Sequence, residues 1–159
     1  LVEEGPLLDD ITLGFNYSKM TSQVELTDFT RAGREIAGLE VNRQLQGQPD
    51  YTMNFNAQYD NEDLGFSAAI FLNITGELLY QVGGVSGSTV APDVVQETFT
   101  SLDLSFSKEL FDDWQLRFRV GNLLNTERRR VHRSATQSGA PFDTSREGTI
   151  YSVSLSKKW

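Results

Sequence analysis

Six runs of alternating apolar and polar residues constrain this chain more than any other property of it. Ile11, Leu13, Phe15 and Tyr17 alternate with Thr12, Gly14, Asn16 and Ser18. Tyr51, Met53, Phe55, Ala57 and Tyr59 do the same against Thr52, Asn54, Asn56 and Gln58. Phe66, Ala68, Ile70, Leu72 and Ile74 form a third lane, broken only by Phe71 on the opposite face. Leu102, Leu104 and Phe106 make a fourth, Trp114, Leu116, Phe118 and Val120 a fifth, and Tyr151, Val153, Leu155 and Trp159 a sixth. Successive side chains of a strand point to opposite faces, so each run has one apolar and one polar face. The expected fold is all-β, an antiparallel up-and-down meander of about six strands near residues 10–20, 50–60, 65–76, 98–109, 114–124 and 148–159. No helix of comparable length is expected.

The spacing adds direction. With Gly14, Phe55, Ile70, Leu104, Phe118 and Ser154 as midpoints, successive gaps are about 41, 15, 34, 14 and 36 residues. Short connections contain Asn61-Glu62-Asp63-Leu64-Gly65 and Phe111-Asp112-Asp113, residues suited to tight turns. Long ones carry Gly33, Gly38, Gly47-Gln48-Pro49, Gly83-Gly84, Gly87 and Gly139-Ala140-Pro141. In a meander, alternating connections fall at opposite ends, so all short turns share one end and all long loops the other. That is the plan of an outer-membrane barrel, whose periplasmic turns are short and extracellular loops long.

Composition sets the outer limits. Hydrophobic residues make up 38% of the chain, and no apolar stretch reaches the roughly 18 residues of a spanning helix. A membrane strand keeps alternate residues polar, so this does not exclude a barrel. There are no cysteines, hence no disulfide framework and no thiolate metal site. A net charge of -8 argues against nucleic-acid binding, which depends on basic surface. The first residue is Leu, without a signal peptide after it, so the chain reads as processed or excerpted.

Two features put the apolar lanes on the outside. Tyr17, Tyr51, Tyr59, Phe66, Trp114, Tyr151 and Trp159 sit near lane ends, where ring and polar tip suit the headgroup region. Tyr59, Phe66, Trp114 and Trp159 would form one girdle at the short-turn end. The other face carries amides, hydroxyls, Asp103, Arg117 and Arg119, which suits a wet lumen, and Asp103 is the expected carboxylate partner of the two arginines. Residues 127–147 hold five arginines (128, 129, 130, 133 and 146) against three acids, a net +2 in an acidic chain. Arg128, Arg129, Arg130 and Arg133 are candidate contacts for lipopolysaccharide phosphates or an anionic ligand, against the plainer reading of a solvated loop. His132, the only histidine, has no partner set for a metal or a triad. No enzyme, cofactor or metal is expected.

Three segments resemble TonB-dependent outer-membrane receptors. Leu45-Gln46-Gly47-Gln48-Pro49-Asp50-Tyr51, running on to Tyr59-Asp60-Asn61, is similar to the entry of a late barrel strand. Leu116-Arg117-Phe118-Arg119-Val120-Gly121-Asn122-Leu123-Leu124-Asn125 resembles the penultimate strand, and Gly148 to Trp159 the last one. The resemblance implies the C-terminal part of a barrel of about 22 strands. Its implied function is active uptake of a nutrient such as a siderophore, vitamin or glycan across a Gram-negative outer membrane. Implied partners are the remaining strands, the plug domain, outer-membrane lipid, the TonB complex through an N-terminal part not in this sequence, and the barrel-assembly machinery. That machinery reads the terminal strand, here Tyr151, Val153, Leu155 and Trp159. The family usually ends in Phe with an apolar residue two positions earlier, whereas this chain has Trp159 and Lys157. Two other readings stand beside this one, a small stand-alone outer-membrane barrel and a soluble lipocalin-like binder with its apolar lanes inward.

Overall fold

The computed structural model describes residues 10–111, 113–134 and 138–157. In chain order its elements are β1 (Ile11–Lys19), α1 (Asp28–Ile36), β2 (Tyr51–Asn61), β3 (Phe66–Thr75), β4 (Leu78–Gln81), β5 (Gly84–Ser86) and β6 (Thr89–Ala91). They continue with β7 (Asp93–Gln96), β8 (Phe99–Glu109), β9 (Trp114–Gly121), β10 (Arg128–Arg133), β11 (Ser138–Ser145) and β12 (Ile150–Lys157). The chain is nearly all-β and every paired strand is antiparallel.

The six alternating runs make one sheet, in the order β1-β2-β3-β8-β9-β12. Register keeps the lanes intact: Phe15 faces Phe55, Phe55 faces Leu72, and Leu72 faces Leu102. The polar lane is equally continuous, with Ser105 opposite Arg119 and Arg119 opposite Ser152. The sheet is open. β1 and β12 each have one neighbour and do not meet.

Local chemistry sets the short turns. The Asn61 side chain accepts from the Leu64 N–H at 2.8 Å, and Gly65 adopts a left-handed φ of 53° before β3 begins. The β8–β9 turn closes with Leu110 N–H donating to the Trp114 carbonyl at 2.7 Å, and Asp113 takes φ 63°. Asn61 also donates to Asp10 at 2.9 Å, so the start of β1 lies at this same end.

The long connections correct the expectation of plain loops. Residues 20–50 contain α1, capped by Thr27 with Asp28 in its first turn. Strands β4 and β7 come from the β3–β8 connection and β10 and β11 from the β9–β12 connection. Together they form a second sheet in the order β11-β10-β7-β4. The first connection joins its edge, where Gly47 N–H donates to the Leu79 carbonyl at 2.8 Å and Asp50 N–H to the Glu77 carbonyl at 2.9 Å. Three connections far apart in sequence thus build one extension at one end of the large sheet.

The core sits in that extension. Leu39, Leu79, Val94, Val95 and Val131 are buried there, and Val120 alone represents the large sheet among buried hydrophobics. On the large sheet the apolar lanes are uncovered, most of all on the edge strands, where Leu13, Phe15, Tyr151 and Val153 are each about two-thirds exposed, at 66–69%.

Candidate functional site

The six-stranded sheet offers two faces of opposite character. On the apolar face three rings line up across β8, β9 and β12: Phe106 and Phe118 stack at 6.4 Å, Phe118 and Tyr151 at 6.5 Å. Tyr59 and Phe66 pair at 6.3 Å near the short turns, and Tyr17 and Tyr51 at 6.2 Å near the long connections. Trp114 stands at the short-turn end opposite Lys157, whose Nζ lies 5.9 Å from its ring centroid. Val153 and Leu155 follow Tyr151 along the same lane, opposite Phe118 and Leu116. Trp159, the last member expected in the girdle, lies outside the described residues.

The polar face carries a hollow of about 660 Å³, with Asp103, Arg117 and Arg119 in its lining. The expected pairing of Asp103 with the arginines is not formed. Asp103 instead accepts from the Asn122 N–H at 2.8 Å. Asn122 follows the end of β9 with a left-handed φ of 52°, and the Asp103 carboxylate satisfies its backbone N–H there. Arg117 donates to the amide oxygen of Gln115 at 3.3 Å.

The arginine cluster of residues 128–146 is brought together but neutralised. Arg128 pairs with Glu147 at 3.2 Å, Arg129 with Glu97 at 3.6 Å, Arg130 with Asp143 at 2.8 Å and Arg146 with Glu127 at 3.1 Å. Arg133 forks onto Glu77, with Nη2 to Oε2 at 2.7 Å. The hydrogen bond and charge of Glu77 raise the Arg133 pKa above its ordinary value, against the opposing effect of burial. Arg128 and Arg130 also lie over the rings of Phe99 and Tyr80, at 4.2 and 3.9 Å. His132 meets Phe142 edge-on at 5.4 Å, and among the described residues no group of side chains is arranged to hold a metal.

Sequence reasoning missed the most buried polar contact. Arg34 of α1, 4% exposed, donates to Asp93 at 2.6 Å, to the Gly83 carbonyl at 2.9 Å and to the Glu40 carbonyl at 2.8 Å. The second Asp93 oxygen accepts from Gly83 N–H at 2.7 Å. A side chain on Gly83 would strike the Ala91 carbonyl and Pro92, so only glycine lets the two strands of this loop close up. No local pattern announces this latch, because its members come from two different connections.

Searches against protein-family models, curated proteins and solved structures return no match for this chain. Among the described residues no helix is long and apolar enough to cross a membrane, which has no bearing on strands.

Proposed function

We propose that this chain is the closing segment of an outer-membrane β-barrel of the TonB-dependent receptor type, taking part in active uptake of a nutrient. In this reading the apolar lanes meet lipid and the polar lanes line the lumen. One observation carries it: the large sheet leaves a broad apolar face uncovered, interrupted by Lys108 near the short turns, while the molecule's own core lies elsewhere. A face of this extent, with aromatic pairs at both ends, suits hydrocarbon flanked by headgroups. The open edges support the same reading. β1 and β12 are regular, free of proline, and would template pairing with further strands. The remaining strands and the plug domain are the partners this reading calls for, and the extension of paired arginines would stand on the extracellular side.

The absence of cysteine makes a direct test clean. Phe55→Cys and Asn56→Cys are neighbours on opposite faces. With the chain refolded into phosphocholine vesicles, a water-soluble maleimide should label Asn56→Cys and spare Phe55→Cys. Equal labelling, or a folded monomer that stays soluble without lipid or detergent, would overturn the barrel reading. The family itself is tested by the upstream coding sequence, which should encode a plug domain and some sixteen strands, about 22 less the six here.

A further inference from the structure

Three apolar side chains interrupt the polar lane, Phe71 on β3, Phe99 on β8 and Ile150 on β12. Phe71 lies between Asn56 and Asp103 on the polar face of the sheet and is 39% exposed, although every other β3 residue on that face is small or polar. Phe71 lines the 660 Å³ hollow together with Arg117 and Arg119.

Those two arginines differ from six of the eight arginines in the extension. Arg34, Arg128, Arg129, Arg130, Arg133 and Arg146 each hold a carboxylate. Arg117 holds only a neutral amide, and Arg119 has no hydrogen-bond or ion-pair partner among the described residues. Both lie between serines on either side, Ser107 and Ser154 about Arg117, Ser105 and Ser152 about Arg119. Two rows of hydroxyl, guanidinium and hydroxyl are a donor array for oxyanions. The lining carries two guanidiniums and one carboxylate, Asp103, a net +1 in a chain of net -8. One oxygen of that carboxylate is already held by Asn122.

Size follows from the sheet. Phe71 and Arg119 stand two strands apart, roughly 10 Å across at the spacing of neighbouring strands. Ala69 and Ser105, on the same row as Arg119 and between the rows of Phe71 and Arg117, are small and leave the floor clear. That span fits one aromatic ring with an anionic group at its edge.

We propose that Phe71, Arg117 and Arg119 form a binding site for an aromatic organic anion, an arene carboxylate or sulfonate. The ring lies against Phe71 and the oxyanion is taken by the arginines and their flanking serines. The site goes beyond the barrel reading and does not depend on it, because it needs only the register of the large sheet.

The test is an NMR titration of the whole chain in zwitterionic micelles with 4-sulfobenzoate, which is too polar to partition into the micelle. Saturable shifts should appear at residues of β3, β8 and β9 around the hollow. Arg117→Gln with Arg119→Gln should weaken binding at least about tenfold, as expected for losing two charge-assisted donors. Phe71→Leu, which keeps apolar bulk, should weaken it by roughly two- to tenfold through loss of ring stacking. Sulfate, without a ring, should bind more weakly than 4-sulfobenzoate. Absence of saturable shifts, unchanged affinity in either variant, or sulfate binding as well as 4-sulfobenzoate would overturn the proposal. A chain that shows the two-faced maleimide pattern and fails this titration overturns the anion site alone.

Discussion

The large sheet and the extension above it solve the same problem in opposite ways. The extension has a core of its own, with valines and leucines inside, and six of its arginines are each paired with a carboxylate. The large sheet has no inside of its own. Its hydrophobic side chains are spread over one exposed face, and on the other Arg117 and Arg119 hold no carboxylate. In water, uncovered apolar area on this scale is unfavourable at about 25 cal/mol per Å². The same chain therefore contains one region with a buried core and one whose apolar face is left uncovered.

The largest effect expected from this contrast is at the latch. Arg34→Met leaves the Asp93 carboxylate buried without its cation, which costs about 3–5 kcal/mol. Hydrogen exchange should speed up first in β4 and β7, with the strands of the large sheet less affected. Uniform acceleration through both sheets would show that the two regions unfold as one. Next comes the face of the large sheet. Leu72 and Asn73 are adjacent on β3 and point to opposite faces. In lipid vesicles Leu72→Arg should destabilise by about 2–4 kcal/mol and Asn73→Arg by much less, read from urea unfolding. Equal losses would mean that neither face meets lipid.

The two regions also differ in how far the sequence reveals them. Period-two alternation is a local signal, and the six strands of the large sheet fall within a few residues of where it places them. Even the exception at Phe71 was visible. The extension has no such signal because long-range pairing holds it together. β10 reads Arg-Arg-Arg-Val-His-Arg, a run without alternation, and becomes a strand through β7 and β11 on either side of it. Helix α1 inverts the usual pattern: Phe29 and Ile36 point outward at 91% and 89% exposure while Arg34 points in. The Thr27-Asp28 cap and Arg34 in the last turn were the available cues, and Gly33 in the middle weakened them. The partner of Arg34 lies 59 residues away, beyond the reach of any window. The apparent excess of arginine in residues 127–147 misleads for the same reason, since Glu77 and Glu97 in another connection supply part of its counter-charge.

Smaller substitutions sharpen the comparison. Tyr59→Ala removes one ring of the pair with Phe66 and should cost roughly 0.5–1.5 kcal/mol in vesicles, measured by urea unfolding. If the ring sits at headgroup depth, Tyr59→Phe should lose part of that amount too, because the hydroxyl's contact with the wet interface goes while the apolar body remains. A Phe variant as stable as the parent would reduce the pair to packing alone.

The smallest effects belong to the exposed pairs of the extension. Arg129 and Glu97 are 3.6 Å apart with 46% and 42% of their side chains exposed, and Arg146, paired with Glu127, is more open still at 62%. Water screens such pairs and ordering two long side chains offsets most of the attraction, so Arg129→Gln and Arg146→Gln should each change stability by less than about 1 kcal/mol. Raising the salt from 0.05 to 0.5 M, in round figures of about these sizes, should erase what remains, because the screening length shrinks to a few ångströms. The penalty for Arg34→Met should survive the same salt, since ions do not reach a contact buried on both sides. Three substitutions of one residue type in one region would then separate by burial alone, and a salt-insensitive loss at Arg129 would mean that its surroundings are closed in solution.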